Sequence, residues 1–182
     1  MPRSTRQISS RPLIVVPIET SAGAFIAQFS DRGLAQVDFP RRYARLPQAD
    51  PAASASPVRE WVTLTAESLA AVLIGRKPLE LPPMDLSGGT PFQRKVWAAM
   101  QRIPIGQTKS YGELAKEIGS PKAVRAVGGA CGANPIPLLI PCHRVLAAND
   151  ELGGFSGGLD WKLRLLAAER RVESKEQSGQ AA

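Results

Sequence analysis

The sequence predicts an α/β protein of the α+β kind. A small N-terminal antiparallel sheet with one helix precedes a mainly helical C-terminal half. Residues 12–39 carry short β-rich runs separated by turn residues. From residue 57 onwards, apolar residues recur at helical spacing behind capping signals. Between the two, residues 76–89 are rich in Pro and Gly and read as a linker and domain boundary.

Met1 to Arg11 holds arginines and serines but no apolar signal region, so the reading is a loose end and no secretion. Leu13 to Ile18 and Ala24 to Phe29 are the first strands. Asp31-Arg32-Gly33 supplies a turn, and Leu34 to Phe39 makes a third strand. Residues 40–57 read as an irregular loop. Pro57 opens a helix to Ile74, with Val62, Leu69 and Leu73 on one face, Trp61, Leu64 and Val72 beside it, and Gly75 ending it. Nothing in residues 1–89 looks catalytic.

The second half starts sharply. Thr90-Pro91-Phe92-Gln93 combines an N-cap, a proline at the first helical position and a Gln that closes a capping box. Ser110-Tyr111-Gly112-Glu113 is a second box, and Gly119 is a C-cap. Ser120-Pro121 starts a further helix at once, running through Arg125 towards Ala130. Two short helices across a tight Gly-Ser-Pro turn read as a helix-turn-helix. The later helix is short of bulky side chains: Ala123, Ala126, Gly128, Gly129, Ala130 and Gly132. Small residues suit close approach to a partner; close packing on the protein's own core is the other reading. A last helix is predicted from Asp160 to Arg171, with Leu163, Leu166 and Ala167 inward. Residues 172–182 are polar and read as a disordered tail.

The chain has 182 residues, 43% of them hydrophobic, and a formal net charge of +7. The charge is uneven: between residues 90 and 144, eight Lys or Arg stand against Glu113 and Glu117 alone. Such a face is either merely solvated or meets a polyanion such as DNA. No apolar run suits a membrane span. Two cysteines and one histidine give neither a disulfide framework nor a set of zinc ligands, so the expectation is no metal and a reducing, cytosolic setting.

The apolar run Ile136-Pro137-Leu138-Leu139-Ile140 ends at Pro141-Cys142-His143-Arg144-Val145. Pro141 fixes its own φ and biases Ile140 towards extended backbone, so the Cys142 thiol sits where a buried segment stops. A cysteine attacks as its thiolate, and a neighbouring imidazole or cation lowers its pKa. His143 and Arg144 supply both in sequence. Downstream, Gly154-Phe155-Ser156-Gly157-Gly158 has the glycines of a loop that is mobile or closely approached. It is not a serine-hydrolase elbow, which needs its histidine downstream.

With these residues in view, the stretch from Thr90 to Glu169 resembles the O6-alkylguanine-DNA alkyltransferases, or methylated-DNA–protein-cysteine methyltransferases. The residues that carry the resemblance are Thr90-Pro91-Phe92-Gln93, Val96-Trp97, Ile103-Pro104, Ser110-Tyr111-Gly112, Arg125-Ala126-Val127-Gly128-Gly129-Ala130, Asn134-Pro135, Ile140 to Val145, Ser156-Gly157-Gly158, Lys162, Leu165-Leu166 and Glu169. Residues 12–75 fit the family's variable N-terminal domain in outline. The resemblance implies a winged helix-turn-helix-like domain at 90–171 that binds alkylated double-stranded DNA through its minor groove, as a monomer and without a cofactor.

It further implies that Cys142 accepts the alkyl group. His143 draws the thiol proton through a water, Glu169 orients His143, Asn134 braces the turn, and Tyr111 serves the leaving guanine. Arg125 would fill the gap left by a flipped nucleotide, with Thr108, Ser110, Tyr111, Ala123 and Ala126 also at the DNA. Val145, Ser156, Phe155, Cys131 and Gly157 would line the substrate pocket. The chain departs from the family at Cys131, where methionine is frequent, at Phe155, where tyrosine is frequent, and at Gly132 and Ala148. The implied activity is direct reversal of O6-alkylguanine, and less firmly O4-alkylthymine, by one irreversible transfer. The alternative is a non-catalytic alkyltransferase-like lesion binder, a type that replaces the nucleophile Cys142. A winged-helix regulator or a thiol hydrolase would each leave part of the pattern without a purpose.

Overall fold

The computed structural model describes residues 13–40 and 46–179. Residues 1–12, 41–45 and 180–182, and with them the loose end expected at the N-terminus and part of the loop expected at 40–57, lie outside the described residues. Strands β1 (Ile14–Ile18), β2 (Phe25–Ser30) and β3 (Gly33–Asp38) form an antiparallel meander in that order. Its register shifts at Gln28/Phe29. Val16, Ile18, Phe25, Phe29, Leu34 and Val37 are buried.

Helix α1 (Val58–Leu73) crosses this sheet. Its buried face differs from the expected one: it runs through Val58, Thr65, Ser68, Leu69, Val72 and Leu73, and Val62 is only half-buried. Two polar residues can lie inward because each hydroxyl is used. Thr65 Oγ1 donates to Trp61 O at 2.7 Å and Ser68 Oγ to Glu80 O at 2.9 Å. The following linker is pinned to the sheet. Leu34 N donates to Pro83 O and Asp85 N to Leu34 O, both at 2.8 Å, and Ser30 Oγ reaches Asp85 at 2.7 Å. One cluster of buried side chains runs from β1 to the last helix.

In the C-terminal half, α2 (Pro91–Gln101) and α3 (Tyr111–Glu117) start on the expected capping boxes at Thr90 and Ser110. Helix α4 spans Val124–Gly132, later than expected. Ala123 N bonds back to Ser120 O at 2.8 Å, so Ser120 and Pro121 close a turn and do not cap the helix. Trp97 Nε1 donates to Ala130 O at 2.9 Å and locks α2 to α4. A parallel pair that the sequence did not announce joins β4 (Lys109–Ser110) to β5 (Val145–Leu146). It fixes the start of α3 beside the segment that carries Cys142.

Helix α5 spans Leu159–Gly179 and so continues through most of the stretch expected to be a disordered tail. The Glu, Lys, Gln and Ser residues after Val172 include strong helix formers and no breaker before Gly179. Its inward face is also corrected. Leu163 is half exposed and Ala167 is exposed, whereas Lys162, Leu165, Leu166 and Glu169 are buried.

Candidate active site

Cys142, His143 and Arg144 form a single 3-10 turn, and all three are buried. Asn134 builds the approach to this turn. Its Nδ2 donates to Ile140 O at 2.8 Å and its Oδ1 accepts from Ile136 N at 3.0 Å, so one side chain closes residues 134–140. Cys142 N then donates to Ile140 O at 2.8 Å.

Glu169 stands mid-helix on α5, 2% exposed, and gathers donors from two segments, the 142–144 turn and the loop at Gly106. His143 Nε2 is 2.8 Å from Oε1. Arg144 reaches the same carboxylate through Nε at 3.0 and 3.1 Å and Nη2 at 2.8 Å, and Gly106 N donates at 3.1 Å. Burial alone would raise the Glu169 pKa. Bonds from His143 and Arg144 overcome it and hold the group at about 2. His143 is fully buried, and burial lowers its pKa against the opposing pull of Glu169. The imidazole is therefore neutral near pH 7. Facing an ionised carboxylate, Nε2 must carry the proton, which leaves the lone pair on Nδ1. That atom is buried and has no protein partner, so it is free to act as a base.

The thiol environment differs from the expectation. Arg144 does not face Cys142: besides Glu169, its Nη1 binds Ile103 O at 2.7 Å. Burial pushes Cys142 up to about 11, against opposing contributions from an Asn134 hydrogen bond and the Lys162 charge. Lys162 is a functional candidate for which the sequence offers no signal beyond the resemblance. It is fully buried, and its ammonium binds the carbonyls of Val145, at 2.6 Å, and Leu152. Lys162 thus occupies the carbonyl of Val145, a residue expected to line the substrate pocket. Cys131, in van der Waals reach of Met100 with sulfurs 3.5 Å apart, is pushed by burial to about 12. Tyr111 is half-buried, and its pKa is raised by burial and by the two thiols.

Of the residues expected at DNA, Tyr111 begins α3, Arg125 and Ala126 lie on α4, and Thr108, Ser110 and Ala123 precede those helices. Arg125 and Ala126 are exposed; Ala123, Thr108 and Ser110 are part-exposed. The Ser110 hydroxyl is engaged in its capping box, accepting from Glu113 N and bonding Oε2 at 2.7 Å. A Cβ added at Gly128, Gly129 or Gly132 would meet nothing within 4 Å. Packing on the protein's own core therefore does not require these glycines. Part of the basic surplus is used internally, since Arg144 binds Glu169 and both Arg102 and Lys109 bind Glu117. Lys95, Lys116, Lys122 and Arg125 remain exposed. Ser156 is exposed and Phe155 and Gly157 are half-buried, on the loop before α5. Among the described residues, no group of three His, Cys, Asp or Glu could hold a metal, and no helix could cross a membrane.

Fold and site together define a small α+β protein built around a buried thiol served by a neutral histidine. A family model described as the DNA-binding domain of 6-O-methylguanine DNA methyltransferase matches residues 91–171. A methylated-DNA–protein-cysteine methyltransferase from Methanosarcina acetivorans is 39% identical over 154 residues, covering 83% of this chain and 94% of that protein. One of the same name from Mycolicibacterium paratuberculosis is 52% identical over 108 residues, covering 58% of this chain and 63% of that protein. The match thus spans less than two thirds of this second relative. The crystal structure of Mycobacterium tuberculosis OGT in complex with DNA superposes with a TM-score of 0.70 at 35% identity, covering 85% of this chain and 91% of that one. The chain belongs to the methylated-DNA–protein-cysteine methyltransferase family.

Proposed function

We propose that this protein repairs DNA by moving a methyl or larger alkyl group from O6 of guanine, and less readily from O4 of thymine, to Cys142. The observation that carries the reading is the buried Cys142–His143–Glu169 set, in which Nε2 is committed to Glu169 and Nδ1 is left basic. The Cys142 sulfur attacks the alkyl carbon, an S–C bond forms and the C–O6 bond breaks. The thiol proton passes through a water to His143 Nδ1. The guanine anion takes a proton from Tyr111, whose raised pKa keeps the phenol protonated at neutral pH. Glu169 offsets the imidazolium charge as it forms. The product is a thioether, which does not hydrolyse, so each molecule acts once.

A buried thiol cannot reach a base inside a duplex, so the nucleotide must flip, at a cost of about a few kcal/mol. The bare α4 surface suits entry into the minor groove as the second helix of a helix-turn-helix, with Arg125 taking the vacated place. The exposed Lys116 and Lys122, close in sequence to α4, would give binding that weakens with salt. The remaining parts of the reading are a monomer, a cytoplasmic setting, and a division at 89/90 between an N-terminal domain and the DNA-binding, alkyl-acceptor domain.

Intact-mass and peptide spectrometry after mixing with duplex carrying O6-methylguanine tests the proposal. One added methyl group on the Cys142 peptide is expected. Sustained turnover or a label on Cys131 would overturn the mechanism. Tight binding without any adduct would favour the lesion-binding alternative.

A further inference from the structure

We propose that Phe39, at the end of β3, is a positioning residue that sets the place of loop 153–158 and hence the width of the pocket; this rests on the alkyl-transfer reading above. The loop is held at both ends by an aromatic ring against a glycine. At one end Gly153 has φ +63, and a Cβ there would lie 3.0 Å from the Tyr111 hydroxyl. At the other, a Cβ on Gly157 would lie 2.7 to 2.8 Å from three carbons of the Phe39 ring. Such contacts leave room for no side chain at either glycine without movement of ring or loop. Between them, Phe155 packs edge-on against Phe39 with centroids 5.5 Å apart.

Phe39 cannot easily yield. It is 9% exposed, and its ring meets Phe25 at 5.8 Å and Trp161 at 5.2 Å, while Phe25 and Trp161 meet each other at 5.6 Å. These rings join the N-terminal sheet to the first turn of α5. The sheet is also tied to the residue beyond Asn134, because Val37 N donates to Pro135 O at 2.9 Å. The loop is therefore held at Gly157 by a ring of the N-terminal half and at Gly153 by the Tyr111 ring at the site. On this proposal, displacing the loop at Phe39 passes along it to the Tyr111 end and changes the room left for the alkyl group, and removing the Phe39 ring relieves that displacement. The N-terminal half, in which the sequence shows no chemistry, thereby acts on which alkyl groups fit.

The test compares benzyl and methyl transfer from matched duplexes by parent, Gly157→Ala, Phe39→Val and the double variant. Gly157→Ala should lower the benzyl-to-methyl rate ratio by about tenfold, and adding Phe39→Val should restore most of it, as expected for residues in direct contact. Losses that multiply in the double variant, or a Gly157→Ala ratio equal to the parent's, would overturn the proposal. Amide hydrogen exchange of residues 151–158 reads the same coupling without chemistry. Phe39→Val should speed exchange there while leaving α4 unchanged in the folded protein, and unchanged loop exchange would refute it. If the parent itself forms no adduct, the alkyl-transfer reading fails and the exchange result still decides whether Phe39 holds the loop.

Discussion

Replacing Glu169 by Gln tests the base directly, and the structure says what else the change does. The carboxylate accepts from His143 Nε2, from Arg144 and from Gly106 N. A neutral amide keeps the volume but removes the charge, and it points an NH2 at one set of donors. Arg144, 8% exposed, is then left as an uncompensated buried cation. Breaking such a pair costs about 3–5 kcal/mol. The same change frees the imidazole to turn or to adopt the other tautomer, and loss of an orienting carboxylate typically costs about 10^4-fold in rate. Two effects are thus expected, and a double variant separates them. Glu169→Gln with Arg144→Met removes the orphaned charge and should recover stability, yet transfer should stay slow because His143 is still unoriented. Thermal melts by circular dichroism and single-turnover transfer from methylated duplex supply the two readings. A folded Glu169→Gln protein that transfers within about twofold of the parent would remove Glu169 from the mechanism and leave Cys142 and His143 as a pair.

Arg125→Ala should slow repair of duplex far more than reaction with free O6-benzylguanine, since only the duplex needs a flipped base; equal losses in both rate measurements would assign Arg125 another task. Acid melts should show stability falling as pH drops. The folded His143 resists the proton that the unfolded residue takes up near its ordinary value of 6.5. Glu169, held at about 2 against an ordinary 4.5, adds stability that is lost as pH falls from 4.5 towards 2. A melt flat from pH 7 to 3 would contradict both assignments. Lys162→Met removes a cation that stabilises the thiolate and frees the carbonyls of Val145 and Leu152. Transfer should slow, with the pH at which rate rises moving upward; an unshifted pH profile with a normal melt would limit Lys162 to a structural role.

Local chemistry made much of the fold legible. Thr90 and Ser110 announced α2 and α3 because a capping box is a contiguous pattern, and both boxes form. The failures share a different cause. Ser120-Pro121 has the residues of a helix start, but a turn closed by Ala123 consumes them. The β4–β5 pair is two residues long on each side, too short to alternate visibly. The inward face of α5 was misjudged because it buries Lys162 and Glu169, which hydropathy places outside. The proposed roles of Cys142, His143 and Glu169 rest on resemblance; what the structure adds is His143 Nε2 at 2.8 Å from Glu169 and an unpartnered Nδ1. The partners of Arg144 and Lys162 were illegible, since backbone carbonyls such as those of Ile103, Val145 and Leu152 leave no sequence signal.

The direction of the Cys142 shift bears on how a protein that acts once, as proposed above, stays usable. Adjacent His143 and Arg144 are the kinds of neighbour that lower a thiol pKa. Instead Arg144 is spent on Glu169, His143 is neutral, and burial holds the thiol near 11. A thiol at that value is almost wholly protonated at pH 7 and therefore slow towards peroxides and stray electrophiles. For a nucleophile that cannot be regenerated, such quiescence preserves the stock. Reaction then requires deprotonation within the substrate complex, where His143 Nδ1 takes the proton as the S–C bond forms. The pH dependence should follow from this. Transfer from methylated duplex should depend on the neutral imidazole and be level across pH 7 to 8, whereas the resting thiol's reaction with a small neutral disulfide should rise about tenfold per pH unit over that range. A disulfide reaction level across that range would mean a resident thiolate, and the substrate-coupled proton transfer would have to be abandoned.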